Sequence, residues 1–231
     1  MRSAPIITAF KFVAVSAWIL AVSALPLWLS GDWRWVEGWI FGVWLAVFIG
    51  GSGLWLYYKD PALLAERIRL PGTGGESGAD LALVIVLKAG WLAWMVLPPL
   101  DVRFGWTPRL PLWSGVCGAI ALLAGSFLMF RAITDNTFAS QLVRIQTERG
   151  QHVIDTGVYS VVRHPMYLGG SLMFVGGALL LGSVVGLVIG IGEILLLVVR
   201  IFIEEKLLLS DLAGYREYHQ KVRYRLVPHV W

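Results

Sequence analysis

The sequence predicts an all-α membrane protein, a polytopic bundle of about six transmembrane helices that ends in a carboxyl-terminal helical hairpin and keeps its most polar segments on the cytoplasmic side. Three observations predict it. Hydrophobic residues make up 57% of the chain and charged residues 15%, against about 45 to 50% and 25% in soluble domains. The apolar residues fall into stretches long enough to cross a bilayer, and the basic residues fall between those stretches with a strong bias to one side.

A helix needs about 20 apolar residues to cross the hydrocarbon core. The stretches 6–29, 36–58, 81–100 and 112–133 each meet that length. The apolar region 168–203 is too long for one crossing and is interrupted by Gly182 and Ser183, so it is expected to fold back as a hairpin. Alternating six helices places Arg2, then Lys59, Arg67 and Arg69, then Arg131, Arg144, Arg149 and Arg163, and all five basic residues beyond residue 205 on one side. Only Arg34, Arg103 and Arg109 fall on the other. Cytoplasmic loops carry the Lys and Arg excess, so both termini are expected in the cytoplasm. The same topology accounts for the basic pI of about 9.4 without nucleic acid as a partner.

Smaller features follow in order. Cleavage after Ala24, at a tolerable signal-peptidase site, would still leave a polytopic protein. Trp28, Trp33, Trp35, Trp39, Trp106 and Trp113 cluster near the two short loops opposite the basic side, as amphipathic rings do at the headgroup level. Gly50, Gly51 and Gly53 are expected to let helices approach closely. The loop 71–78 is Gly-rich but has no phosphate-binding lysine at the required spacing, so no cofactor role is expected of it. The single cysteine, Cys117, excludes an internal disulfide framework and a cysteine metal cluster and is expected to be a small core residue. No metal site is expected.

Ionisable residues inside apolar helices are costly unless paired or hydrated. Lys88 lies close enough to a helix end to reach the interface. Glu193, Arg200 and Glu204 are spaced by seven and four residues, which puts them on one helix face. That face is either a functional surface or a structural Arg200–Glu204 ion pair. Between residues 146 and 167, Gly150 and Gly157 allow tight turns, and Pro165 suits the first turn of a helix whose exposed N–H groups could receive an anion. The basic and aromatic stretch 214–228 either holds the membrane interface or covers the preceding site.

Arg163-His164-Pro165-Met166-Tyr167-Leu168-Gly169, Glu204-Glu205-Lys206-Leu207-Leu208, and Gly214-Tyr215 with Tyr218 and Val222 resemble, in this order and spacing, the isoprenylcysteine carboxyl methyltransferase family and its bacterial relatives, within a wider group that includes phospholipid methyltransferases. The resemblance spans about residues 131–231; the first 130 match only as apolar helices. It implies an integral membrane methyltransferase that uses S-adenosylmethionine without a dinucleotide-binding fold, in keeping with the absence of a strand followed by Gly-x-Gly-x-x-Gly. Residues 1–133 would form the amino-terminal transmembrane helices and 134–231 the catalytic region.

By resemblance, Gln146, Gln151, His152, Val153, Ile154, Tyr159, His164, Pro165, Met166, Tyr167 and Glu204, with Glu205 as the alternative to Glu204, would line a cytoplasmic cofactor pocket. Arg200 falls where the family holds an arginine near the acceptor, so Arg200 and Glu204 are the expected catalytic pair. The acceptor would be a carboxylate of isoprenylcysteine type or another lipophilic or lipidated molecule, presented by a bacterial inner membrane. Transfer of a methyl group from a sulfonium to a carboxylate needs no general base; alignment of donor and acceptor can contribute up to about 7–11 kcal/mol. A membrane NADPH-dependent reductase of sterol-reductase type and a non-catalytic scaffold are the alternatives. The sequence leaves the oligomeric state open.

Overall fold

The computed structural model describes residues 9–73 and 77–231. Arg2, the start of the first expected span and residues 74–76 of the Gly-rich loop lie outside them. Eight α-helices follow in order: α1 (Ala9–Ser30), α2 (Val36–Lys59), α3 (Pro61–Arg67), α4 (Gly78–Phe104), α5 (Leu112–Asp135), α6 (Pro165–Leu181), α7 (Val184–Asp211) and α8 (Tyr215–Lys221). No strand occurs among the described residues. α1, α2, α4, α5 and α7 are long and apolar enough to cross a membrane. α6 is apolar over 17 residues, about 25 Å of helix, and makes the sixth member of the expected set.

The hairpin breaks where the sequence places the break. Gly182 takes a left-handed conformation, φ +70°, which ends α6, and the Ser183 hydroxyl accepts from the Gly186 N–H to cap α7. Ser183 also donates to Asp101 at 2.6 Å, and Asp101 accepts from both the Thr107 N–H and its hydroxyl at 2.8 Å. Asp101 is buried, so these bonds satisfy a carboxylate that would otherwise be costly. They fasten the α6–α7 turn to the end of α4. At the opposite end, Asp60 caps α3 by accepting from the Leu63 N–H at 2.9 Å, with Pro61 in the first turn.

α5 and α6 pack antiparallel with almost no space between their backbones. A Cβ on Gly118 would lie 2.4 Å from the Leu180 nitrogen, one on Gly125 would lie 2.7 Å from the Gly169 oxygen, and one on Gly176 would lie 2.5 Å from the Leu122 nitrogen. The glycines are spaced seven apart on each helix, so both pairs lie on one face. Small residues let membrane helices associate through backbone contact, because lipid removes the hydrophobic drive between them. Gly50, Gly51 and Gly53 play no such part: nothing lies within 4 Å of a Cβ at any of them. The span they occupy faces outward there, and close approach has moved to α5 and α6.

Two further expectations are corrected. Trp35 is buried rather than interfacial and packs with Phe41, Leu45, Trp94, Met95 and Leu122 in the main core; it immediately precedes α2, where the chain turns inward. Trp28, Trp33, Trp39, Trp106 and Trp113 are exposed as a belt requires. Cys117 is exposed rather than in the core, since its neighbour Gly118 takes the contact with α6 and turns it outward. Lys88 is exposed on α4.

These contacts set a matched pair of expected outcomes. Gly176→Ala places its methyl against backbone that cannot move aside, and overpacking costs about 1–3 kcal/mol. Its melting temperature in detergent should fall by about 2–4 °C for each kcal/mol lost. Gly51→Ala meets open space and should leave the melting temperature unchanged or slightly higher. Equal effects of the two substitutions would contradict the packing described.

Candidate active site

Residues 136–164 leave α5, turn back through Gly150 and Gly157, both at positive φ, and re-enter the bundle at α6. The re-entry is fixed by backbone: the Arg163 N–H donates to the Tyr224 carbonyl and the His164 N–H to that of Arg225, both at 2.9 Å. Beneath this pairing lies Glu205 of α7. One of its oxygens accepts from Arg163 Nε at 2.7 Å and the other from Arg225 Nε at 2.9 Å, while His164 Nε2 lies 3.3 Å away. Arg163 Nη1 also donates to the Val222 and Arg223 carbonyls. A single carboxylate thus joins α7, the turn into α6 and the carboxyl-terminal segment.

Glu204 is the preceding residue, turned about 100° around the helix. It faces a cleft instead. Its Oε2 accepts from the Tyr167 hydroxyl at 2.6 Å and lies 3.8 Å from His164 Nδ1. The His164 ring stacks on that of Tyr167, with centroids 5.5 Å apart and planes 8° from parallel. Glu204 Oε1 has no hydrogen-bond partner among the described residues, and the side chain keeps 27% of its surface exposed.

The cleft holds about 800 Å³ of empty space, its open mouth included. Gln151, His152, Val153, Ile154, Tyr159, His164, Pro165, Met166, Tyr167 and Glu204 all line it. The sequence reading placed each of these in the pocket. Also lining it are Asn136, Phe138 and Leu142 from the lip that follows α5, Leu207, Leu208 and Leu212 from the end of α7, and Tyr215 and Tyr218 of α8. α8 therefore forms part of the cleft wall. Burial raises the pKa of Tyr159, Tyr215 and Tyr218, so these phenols stay protonated; Tyr159 donates to the Ala132 carbonyl and Tyr218 to that of Tyr159.

Three of the expected residues stand outside the lining. Gln146 is buried behind the lip, where its amide donates to the Phe138 carbonyl at 2.9 Å and its backbone N–H donates to Gln151 Oε1 at 2.6 Å; it braces the wall. Glu205 is fully engaged by Arg163, Arg225 and His164. Arg200 pairs with Asp80 of α4 at 3.1 Å and donates to the Gln141 carbonyl at 2.5 Å, and the same Asp80 accepts from the Val143 N–H at 3.0 Å. Arg200 therefore holds the lip to α4, and it forms no ion pair with Glu204 despite the four-residue spacing. Glu193 shares that helix face but lies deeper, with its carboxylate in the space left by the missing Cβ of Gly90.

The lip has a second anchor that the sequence reading missed. Arg144 makes a two-pronged bond to Glu66 of α3, both arms 2.8 Å, and a further bond to Glu148 at 2.6 Å. No local pattern marks a pair 78 residues apart. The hydrogen bonds from Arg144 hold the Glu66 carboxyl below its ordinary value of 4.5. Because the folded pKa is depressed, the pair's stabilisation is fully present above about pH 4.5 and fades as pH falls through the lower folded value. Glu66→Ala leaves Arg144 half-paired in a buried position, where breaking such a pair costs about 3–5 kcal/mol. Hydrogen exchange of residues 138–144 should therefore accelerate, selectively, in this variant and in the wild type below pH 4; protection equal to that at pH 7 would contradict the anchor.

Residues 113–212 match the model of the phospholipid methyltransferase family. A comparison with curated proteins finds no match by sequence. Among solved structures, the eukaryotic intramembrane Ras methyltransferase ICMT (isoprenylcysteine carboxyl methyltransferase), solved without a monobody, is similar at a TM-score of 0.61 and 21% identity, over 97% of this chain and 79% of that one. The matched segment contains the start of α6 and the Glu204–Glu205 pair, and the shared fold extends over nearly every described helix. The phospholipid methyltransferase match thus runs from α5 to the end of α7, within a chain that shares the fold of an intramembrane methyltransferase.

Proposed function

We propose that this protein transfers the methyl group of S-adenosylmethionine to a lipophilic acceptor, with donor and acceptor meeting at Glu204 and Tyr167. The observation that carries the reading is a half-buried carboxylate at the wall of the cleft, one oxygen held by the Tyr167 hydroxyl near His164 and the other without a hydrogen-bond partner among the described residues, inside the segment matched to the phospholipid methyltransferase family. When bound, the donor supplies an electrophilic methyl on a sulfonium. The cleft suits such a group: Glu204 offers a free oxygen to a cation, Leu207, Leu208 and Leu212 offer apolar surface to a purine, and neutral tyrosine hydroxyls and Gln151 offer polar contacts.

Tyr167 fixes the Glu204 rotamer, and the stacked His164 ring fixes Tyr167. A carboxylate positioned in this way contributes electrostatically without reorganising during transfer. α8 and the lip limit access of water to the cleft. The carboxyl methyltransferase likeness supports a carboxylate acceptor of isoprenylcysteine type, for which no base is required; Arg200, in reach of such a group only by exchange from Asp80, is the residue assigned to it. The bias of basic residues supports a cytoplasmic cleft and cytoplasmic termini. A lateral path between helices would then admit the acceptor from the bilayer.

Isothermal titration of the detergent-solubilised protein with S-adenosylhomocysteine tests the donor site. Wild type should bind, and Glu204→Gln should weaken binding by about tenfold or more, since a hydrogen bond to a charged group contributes about 1.5–3 kcal/mol. S-adenosylhomocysteine at 100 times its Kd should add about 2.7 kcal/mol of stability, whereas NADPH should add none. A folded wild type stabilised by NADPH and indifferent to S-adenosylhomocysteine would favour the reductase instead. Incubation with methyl-labelled donor and an S-prenylcysteine should give label released as methanol by alkali, the mark of a methyl ester; alkali-stable label would mean another acceptor class.

A further inference from the structure

We infer that the end of the molecule remote from the cleft holds one zwitterionic glycerophospholipid, its headgroup between Arg109 and Glu37 and one acyl chain in the groove between α2 and α5. The inference is independent of the methyltransferase reading.

Two open hollows lie on this side, with about 900 and 980 Å³ of empty space, their open mouths included. They share Ile40 and so form one groove. The first takes Glu37 from the first turn of α2 and Arg109 from the approach to α5, and is otherwise lined almost wholly by apolar groups. The second is apolar throughout: its one polar lining side chain besides tryptophan, Ser126, already donates to the Leu122 carbonyl and accepts from Trp44 Nε1 at 2.8 Å. A cavity without free polar partners does not hold ordered water. A hydrocarbon chain fits its chemistry.

The headgroup end points to charge of both signs. Glu37 and Arg109 line the same cavity, yet no ion pair of 4.0 Å or less joins them, and neither has another ionic partner among the described residues. Exposed Trp33, Trp39, Trp106 and Trp113 put this region at the membrane interface. A phosphate offered to the guanidinium and an ammonium offered to the carboxylate neutralise both groups at once. An anionic headgroup would satisfy Arg109 and leave Glu37 facing a second negative charge.

The length agrees. Eleven residues separate Glu37 from Phe48 at the far end of the groove, about 16 Å along the helix, which is half of the roughly 30 Å hydrocarbon core. One leaflet's acyl chain reaches that depth. The site lies near Leu112 at one end of α5, whereas the cleft begins at Asn136, about 35 Å along the same helix, so this lipid is not the methyl acceptor. It occupies the gap between α2 and α5 and borders the α6–α7 turn, where the Leu110 N–H donates to the Gly182 carbonyl.

Native mass spectrometry of the detergent-purified full chain, given equal dioleoyl phosphatidylcholine and dioleoyl phosphatidylglycerol, tests the site. One phosphatidylcholine should persist at collision energies that strip other lipid. Arg109→Gln and Glu37→Gln should each lower the retained fraction at least fivefold, with melting temperature in detergent unchanged. Val43→Trp, which fills the tail groove and leaves both charges intact, should do the same and keeps the test decisive should either charge variant fail to fold. Retention of phosphatidylglycerol at the same level, retention unaltered in Val43→Trp, or a lipid-free homodimer covering this face would each overturn the assignment.

Discussion

The constraint on which the rest of the structure depends is the occupancy of Glu205. A carboxylate 4% exposed must have both oxygens engaged to offset its desolvation, and two arginines and a histidine from distant segments supply the partners. Removing either arginine would leave uncompensated charge in a dry site, so the turn into α6, the last third of α7 and the carboxyl-terminal segment are obliged to fold together. The division of labour within Glu204–Glu205 follows from helix geometry. Adjacent residues point about 100° apart, so once Glu205 is committed to the interior, Glu204 must face elsewhere, and the start of α6 gives it Tyr167.

The glycine contact between α5 and α6 places the two halves of the cleft beside each other. Because the helices run antiparallel with their backbones touching, the end of α5 at Asp135 lies within about two turns of the start of α6 at Pro165, on the same side of the bundle. The chain between them has no choice but to loop out and return over that end of the bundle. Its returning arm carries Gln151 to Ile154, and its departing arm carries Asn136 to Val143. Asp80 and Glu66 then pin the departing arm from α4 and α3. The cleft is the space enclosed when the loop is fixed at both edges.

The features legible in the sequence are those with a local physical cause. Helix ends at Gly182 and Ser183, the α6 start at Pro165 and the turns at Gly150 and Gly157 follow from residues whose conformational preferences act within a few positions. The side that Glu204 takes has no local cause, because it depends on Arg163 and Arg225 meeting Glu205 from elsewhere in the chain. Asp80, Glu66 and Arg144 were not singled out as partners for the same reason: an ion pair across 78 or 120 residues has no periodicity. The glycines show the limit most plainly. Gly50, Gly51 and Gly53 look like a packing stripe but face away from every neighbour, while Gly118, Gly125, Gly169 and Gly176 recur at seven-residue spacing, a pattern readable only when two helices are compared.

The two ends of the bundle are held by different forces, and they respond differently to the surroundings. At the α6–α7 turn, Asp101 is satisfied by short hydrogen bonds from hydroxyl and amide groups, and the adjoining glycine contact is steric; neither depends on ionic strength. The cleft end is held by ion pairs graded in exposure. Arg163–Glu205 is buried, Arg144–Glu66 is nearly so, and Lys221–Asp155, which ties α8 to the cleft wall at 2.7 Å, has side chains 66% and 44% exposed. Exposed pairs are weak and are screened over about 8 Å at physiological salt. Rising salt therefore weakens the Lys221–Asp155 tie first, reaches the lip only weakly and leaves the bundle untouched, while buried Tyr215, Tyr218 and Val222 keep α8 packed on Val153, Leu208 and Leu212.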